Sequence, residues 1–178
     1  RITPPAGRAA ALAYQLTFIV YKYRLGTCHR KWINTLNTHC AECGAQLAEG
    51  SSCADLFHQM LYWENEEPAR GEVHHLMVLC YHLQHPSLYS AEGLAVSRRL
   101  LADFVERGLN PAEVRLQNRN AVDSGQRDWS ITARPGNQGA YEKPIAWSMT
   151  AADVVDGGAD AYLYNVRAWA EEAFRDLS

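Results

Sequence analysis

The sequence predicts a mainly α protein: a compact helical bundle over residues 39–178, fronted by a loop that carries a Cys-x-x-Cys pair. Three observations predict it. Apolar side chains recur at helical spacing in several segments, each bounded by a capping residue, a proline or a glycine. The stretch that breaks this rhythm, residues 123–147, is punctuated by glycine and proline. A content of 47% hydrophobic and 21% charged residues in 178 suits one domain with a buried core, and excludes a collagen-like or disordered chain.

The elements follow in order. Ser51 or Ser52 caps a helix starting at Cys53, in which Leu56, Met60, Leu61 and Trp63 form an apolar stripe beside Phe57. That helix ends in the acidic turn Asn65-Glu66-Glu67-Pro68, because proline cannot continue it. Glu64, Glu66 and Glu67 read as a solvated helix end rather than as acid/base or metal-binding groups. A second helix is expected from Gly71 to about Gln84. Its apolar members Val73, Leu76, Met77, Leu79, Cys80 and Leu83 cover most of its circumference, so it should be central and buried. Pro86 stops it.

Ser87 or Ser90 starts a third helix through Leu94, Leu100, Leu101, Phe104 and Val105, closed by Gly108. Asn110-Pro111 heads a fourth, near Ala112 to Asn120. Within the Gly/Pro-rich stretch a short β-hairpin is expected near 129–149, pairing Trp129–Thr132 with Ile145–Met149. Thr150 caps a turn of helix at Ala151–Val155, and a last amphipathic helix spans Ala159–Leu177. The aromatics Trp129, Trp147, Tyr162 and Trp169 read as core.

Charge divides the chain unevenly. Residues 1–39 hold six basic groups (Arg1, Arg8, Lys22, Arg24, Arg30 and Lys31) and no Asp or Glu. The rest carries eleven basic and twenty acidic groups, a net of −9. Residues 1–38 therefore form a basic leader, readable as an arm for an acidic partner, a transit peptide or an adventitious extension. We expect the last, a segment extraneous to the fold or disordered. The acidic body argues against nucleic acid as a partner, since it lacks a basic stripe to neutralise phosphates. No apolar run approaches the ~20 residues of a membrane span. The expected partner is a protein or a small molecule.

The five cysteines (Cys28, Cys40, Cys43, Cys53 and Cys80) are too few for a disulfide scaffold, and no secretory segment stands out. A reducing cytoplasm is the expected location. There, Cys40-x-x-Cys43-Gly44 reads as a metal knuckle, with a redox pair and ordinary reduced thiols as alternatives. Two thiolates at this spacing face one Zn²⁺ at ~2.3 Å, and Gly44 lets the backbone turn beneath them. A thioredoxin-type pair would need a βαβ context that this sequence lacks.

Tetrahedral zinc takes four ligands, so two more must come from elsewhere. Cys53 is the expected third, because a helix N-terminus stabilises a thiolate. His74 or His85 is the fourth. They share one helix face but lie ~16 Å apart along a straight helix, so both reach one ion only if the helix ends between them. Cys80 reads as a small buried hydrophobe.

These motifs, Cys40-Ala-Glu-Cys43-Gly44, Ser51-Ser52-Cys53 and Val73-His74-His75 through Tyr81-His82-Leu83-Gln84-His85-Pro86, resemble the bacterial family DUF5946, whose function is unknown. The resemblance covers about residues 39–177 and includes the closing pattern Thr150-Ala-Ala-Asp153-Val154, Tyr162 and Trp169-Ala170. It implies a shared fold and site and a start near the CxxC, but no reaction. Related sequences often carry an Asp where this chain has Leu79.

Two functions follow from these residues. In one, a structural zinc site stabilises a binding or adaptor protein, marked by four protein ligands. In the other, a metal-dependent enzyme (a hydrolase or thiol-dependent transferase) uses a zinc-bound water, with Tyr81 and Gln84 as candidate catalytic groups beside His74.

Overall fold

A computed structural model of the chain describes residues 38–122 and 128–178. The basic leader, all but Thr38, lies outside the described residues. Six α-helices account for most of what is described, and no strand forms there.

Helix α1, Cys53–Glu66, begins where the sequence offers a complete capping box. The Asp55 N–H donates to Ser52 Oγ at 3.3 Å and the Ser52 N–H returns a bond to Asp55 Oδ2 at 2.8 Å, satisfying two end groups reciprocally. Pro68 opens a 3₁₀ segment, Pro68–Val73, and only then does α2, His74–Gln84, begin. The second helix therefore starts three residues later than expected. Proline at the first position seeds a tight turn, and Gly71, a poor helix former, does not extend it as α-helix.

Helix α2 is the centre of the molecule. Leu76, Met77, Leu79, Cys80, Tyr81, Leu83 and Gln84 are all buried along it, and α3 and α6 pack against it most extensively, with α4 beside them. Helix α3 (Ala91–Val105) is capped by Ser90, whose Oγ accepts the Gly93 N–H at 3.0 Å. Helix α4 (Pro111–Val122) is capped by Asn110, whose Oδ1 accepts from Ala112 and Glu113. Helix α5 (Ala151–Asp156) repeats the capping box with Thr150 and Asp153. Helix α6 spans Tyr162–Asp176, preceded by a 3₁₀ turn at Ala159–Ala161. Trp169, Tyr162, Met60, Leu76, Leu100 and Leu101 are among the large side chains sealed inside. Among the aromatics expected in the core, Tyr162 and Trp169 are fully buried, while Trp129 and Trp147 are half-buried.

The hairpin expected near 129–149 does not form. Thr132 and Gln138 make single antiparallel bridges to Tyr89 and Ser90, ahead of α3. Pro135-Gly136 closes a turn in which the Asn137 N–H donates to the Arg134 carbonyl at 3.1 Å, with Gly136 at φ 94°. Glycine in the left-handed region after proline is the pattern of a type II turn. Gly139 then passes so close to α3 that an added Cβ would meet Leu94 Cδ1 at 2.0 Å. The loop thus spends its backbone groups on the α2–α3 corner, not on itself.

That corner gathers the rest of the loop. Tyr141 donates its hydroxyl to the Leu83 carbonyl at 2.8 Å, and Gln84 Nε2 donates to the Met149 carbonyl at 2.7 Å. The C-terminal end of α2 is therefore the meeting point of the loop and the knuckle.

Candidate metal centre

The knuckle is a tight turn built on the backbone of residues 38–47. The Cys40 N–H donates to Ala45 O and the Gly44 N–H to Cys40 O, both at 2.9 Å, while the Leu47 N–H reaches Thr38 O at 2.6 Å. Gly44 sits at φ 74°, a left-handed conformation that costs an L side chain about 1–2 kcal/mol. Both knuckle sulfurs thereby turn inward onto the helices.

Two helix ends complete the cluster. Cys53 is the first residue of α1, placed by its capping box, and His85 is the residue that caps the C-terminus of α2 before Pro86. The ligating atoms of Cys40, Cys43, Cys53 and His85 all lie within 4.8 Å of one another, close enough to hold one metal ion. Cys43 Sγ and Cys53 Sγ are 3.5 Å apart, and Cys40 Sγ is 3.7 Å from His85 Nε2. A tetrahedron with metal–ligand bonds of ~2.3 Å has edges of ~3.8 Å, so this spacing matches such a site.

The surroundings orient the donors. Nδ1 of His85 lies 2.9 Å from the Tyr81 carbonyl, which fixes Nδ1 as the protonated nitrogen and turns the Nε2 lone pair to the sulfurs. The ring stacks on Tyr81 at 4.2 Å, and Tyr81 rests against Phe57 at 4.5 Å. Glu42, between the two knuckle cysteines, accepts bonds from the Ser87 N–H (3.0 Å) and hydroxyl (2.9 Å), clamping the knuckle to the turn after His85.

Electrostatics follow from the crowding. The Cys53 thiol donates to Cys43, and this bond, against the opposing effect of burial, holds Cys43 far below the usual thiol range, with help from His85 and the Ala45 N–H. The same bond, with burial, pushes Cys53 upward. Burial pulls His85 down, but the Cys43 sulfur, the Tyr81 carbonyl and the charges of Cys43 and Glu42 outweigh it, and its net shift is upward. The cluster thus carries negative charge that a cation would neutralise.

His74 stands apart from this cluster. It opens α2 at the end opposite His85, and its Nδ1 lies 2.6 Å from Glu64 Oε2. Of the two histidines left open by the sequence, the fold brings only His85 to the sulfurs. Tyr81 and Gln84 are buried supports: Tyr81 is the stacking platform under His85, with its hydroxyl pushed upward by burial, and Gln84 anchors Met149. Cys80 is fully buried in the core, its thiol likewise pushed upward by burial.

Glu64 corrects the reading of the acidic turn as wholly solvated. Glu66 and Glu67 are exposed, but the Glu64 side chain is 9% exposed and joins His74 to the buried Tyr162 hydroxyl, which donates to Oε1 at 2.7 Å. Its position four residues after Met60, which is wholly buried, places it on the inner face of α1. Glu42 had no such signal, because nothing in the sequence pairs it with Ser87.

Fold and centre together define a class: a small helical protein whose N-terminal knuckle meets two helix ends at a cluster suited to one metal ion. Residues 38–178 match the model of a family described as a family of unknown function, DUF5946, and the chain belongs to that family. No curated protein and no solved structure matches it.

Proposed function

We propose that Cys40, Cys43, Cys53 and His85 hold a structural Zn²⁺, and that the protein is a binding or adaptor module whose knuckle is set in place by that ion. The observation that carries this reading is the completeness of the donor set. Three thiolates and one imidazole, all within 4.8 Å, fill a tetrahedral site and leave no position for water. The softness of the set selects zinc over magnesium or calcium, which require oxygen ligands. The site needs reduced cysteines, which supports a cytoplasmic location. No helix among the described residues is long and apolar enough to cross a membrane. The acidic body favours a protein or small-molecule partner over nucleic acid.

The test is metal analysis of protein purified without chelator, followed by exchange of the ion for Co²⁺. One zinc per chain and a tetrahedral, thiolate-rich cobalt spectrum, unchanged by added anions, are expected. A cobalt spectrum that shifts with azide would reveal an exchangeable fourth position and replace this reading with the enzyme. Metal-free, fully protected protein would remove the metal altogether.

A further inference from the structure

The four donors are not equally shielded. Cys43, Cys53 and His85 are 2%, 6% and 3% exposed, whereas Cys40 is half-buried. Of the three cysteines, Cys40 therefore presents the most surface to a small oxidant in solvent. Behind it, the sulfurs of Cys43 and Cys53 lie within 4.8 Å of the Cys40 sulfur, and these two are 3.5 Å from each other. A disulfide needs ~2.05 Å between sulfurs, so closure asks for sulfur movements of no more than about 3 Å. At Gly44, between the knuckle cysteines and α1, nothing lies within 4 Å of the Cβ position, so the turn has open space on that side.

From this arrangement the geometry points to Cys40 as a peroxide-oxidation site that opens the metal centre. The inference rests on the zinc reading above. The Cys40 thiolate attacks one oxygen of hydrogen peroxide; the O–O bond breaks, sulfur is oxidised to the sulfenic acid, and hydroxide leaves. A second thiolate, of Cys43 or Cys53, then attacks the Cys40 sulfur, forming the S–S bond and expelling a second hydroxide. Two thiolates are oxidised by two electrons and one peroxide is reduced; two protons convert the hydroxides to water. The ion keeps one thiolate and His85, too few to retain it, and leaves. Restoration requires a dithiol reductant and zinc.

The experiment uses the zinc-loaded full chain carrying Cys28→Ser, which removes the cysteine that lies outside the described residues. Substoichiometric hydrogen peroxide is added with a chromogenic zinc chelator present, and cysteines are mapped by differential alkylation and mass spectrometry. A parallel sample contains dimedone to trap sulfenic acid. One zinc released per disulfide formed, dimedone on Cys40, Cys80 still reduced, and recovery of zinc after dithiol treatment are expected. Dimedone on Cys43 or Cys53 instead would overturn the entry role of Cys40. Zinc release with Cys40 carried to sulfinic acid and no disulfide, or full zinc retention, would overturn the switch while leaving the zinc site standing. Loss of the zinc reading itself shows earlier and separately, as protein that never takes up one equivalent of metal.

Discussion

Removing the metal should melt the knuckle and spare the bundle. Ordering residues 39–51 costs roughly 13–26 kcal/mol of backbone entropy, taking 1–2 kcal/mol per residue. The segment buries little to offset this: Cys43 and Ala45 fully and Leu47 in part, about 3 kcal/mol of apolar transfer. Its bonds, from Cys40, Gly44, Leu47 and Ser51 N–H within the turn and from Ser87 to Glu42, add about 6 kcal/mol at ~1 kcal/mol each. A structural zinc contributes about 10–16 kcal/mol in comparable peptides, which brings the segment to the ordered side by a few kcal/mol. Without it the deficit is roughly 4–17 kcal/mol on the same terms. Of the core that holds Leu76, Met77, Leu100, Leu101, Val166 and Trp169, the knuckle supplies only Cys43 and Ala45 as buried members, and the helices supply the rest. Hydrogen exchange with and without a strong chelator is the assay. Amides of Cys40, Gly44 and Leu47 should lose their protection on chelation, while those from Leu79 to Leu83 keep theirs. Undiminished protection in the knuckle would refute the structural role of the ion, and collapse of α2 protection would refute the independence of the core.

Acid should weaken the fold through His82. Burial drops this imidazole from 6.5 to about 4. Ser97 Oγ already donates to Gly93 O, so it accepts from His82 Nδ1–H, at 3.3 Å. The unfolded chain takes up the proton at higher pH than the folded one, so stability is complete above pH ~6.5 and falls as pH drops toward 4, by up to about 3 kcal/mol. Urea midpoints between pH 7.5 and 4 should show this slope and a His82→Gln variant should flatten it; equal slopes would refute it. Gly44→Ala should cost about 1–2 kcal/mol through its left-handed backbone alone, since nothing lies within 4 Å of the added methyl; an unchanged urea midpoint of the zinc-loaded protein would contradict that. Tyr162→Phe should cost about 1–3 kcal/mol by leaving Glu64 Oε1 without its donor, and a neutral effect would mean water replaces the hydroxyl.

Much of the fold was legible because it rests on local chemistry. Of the two serines offered as the cap of the first helix the structure uses Ser52, it uses Thr150 as expected, and it completes each as a capping box with Asp55 and Asp153, while Pro68, Pro86 and Pro111 sit at the boundaries they announce. What was not legible depends on partners far along the chain. Trp129–Thr132 and Ile145–Met149 have the spacing for a hairpin, yet Thr132 and Gln138 bridge to Tyr89 and Ser90. Periodicity reports which face of a segment is apolar, but not which remote edge will take its hydrogen bonds.

The metal cluster shows the same division. The CxxC pair and the start of α1 at Cys53 could be read locally, whereas the choice of His85 over His74 could not, since both lie on one face of α2. That choice is made by Pro86. Ending the helix there leaves the His85 ring outside the last turn, where the Tyr81 carbonyl fixes its tautomer and Tyr81 supports its plane. His74, at the other end, meets Glu64 first. One proline thus separates two histidines that helical phase alone treats as equivalent, giving one to the cysteine cluster and the other to a carboxylate.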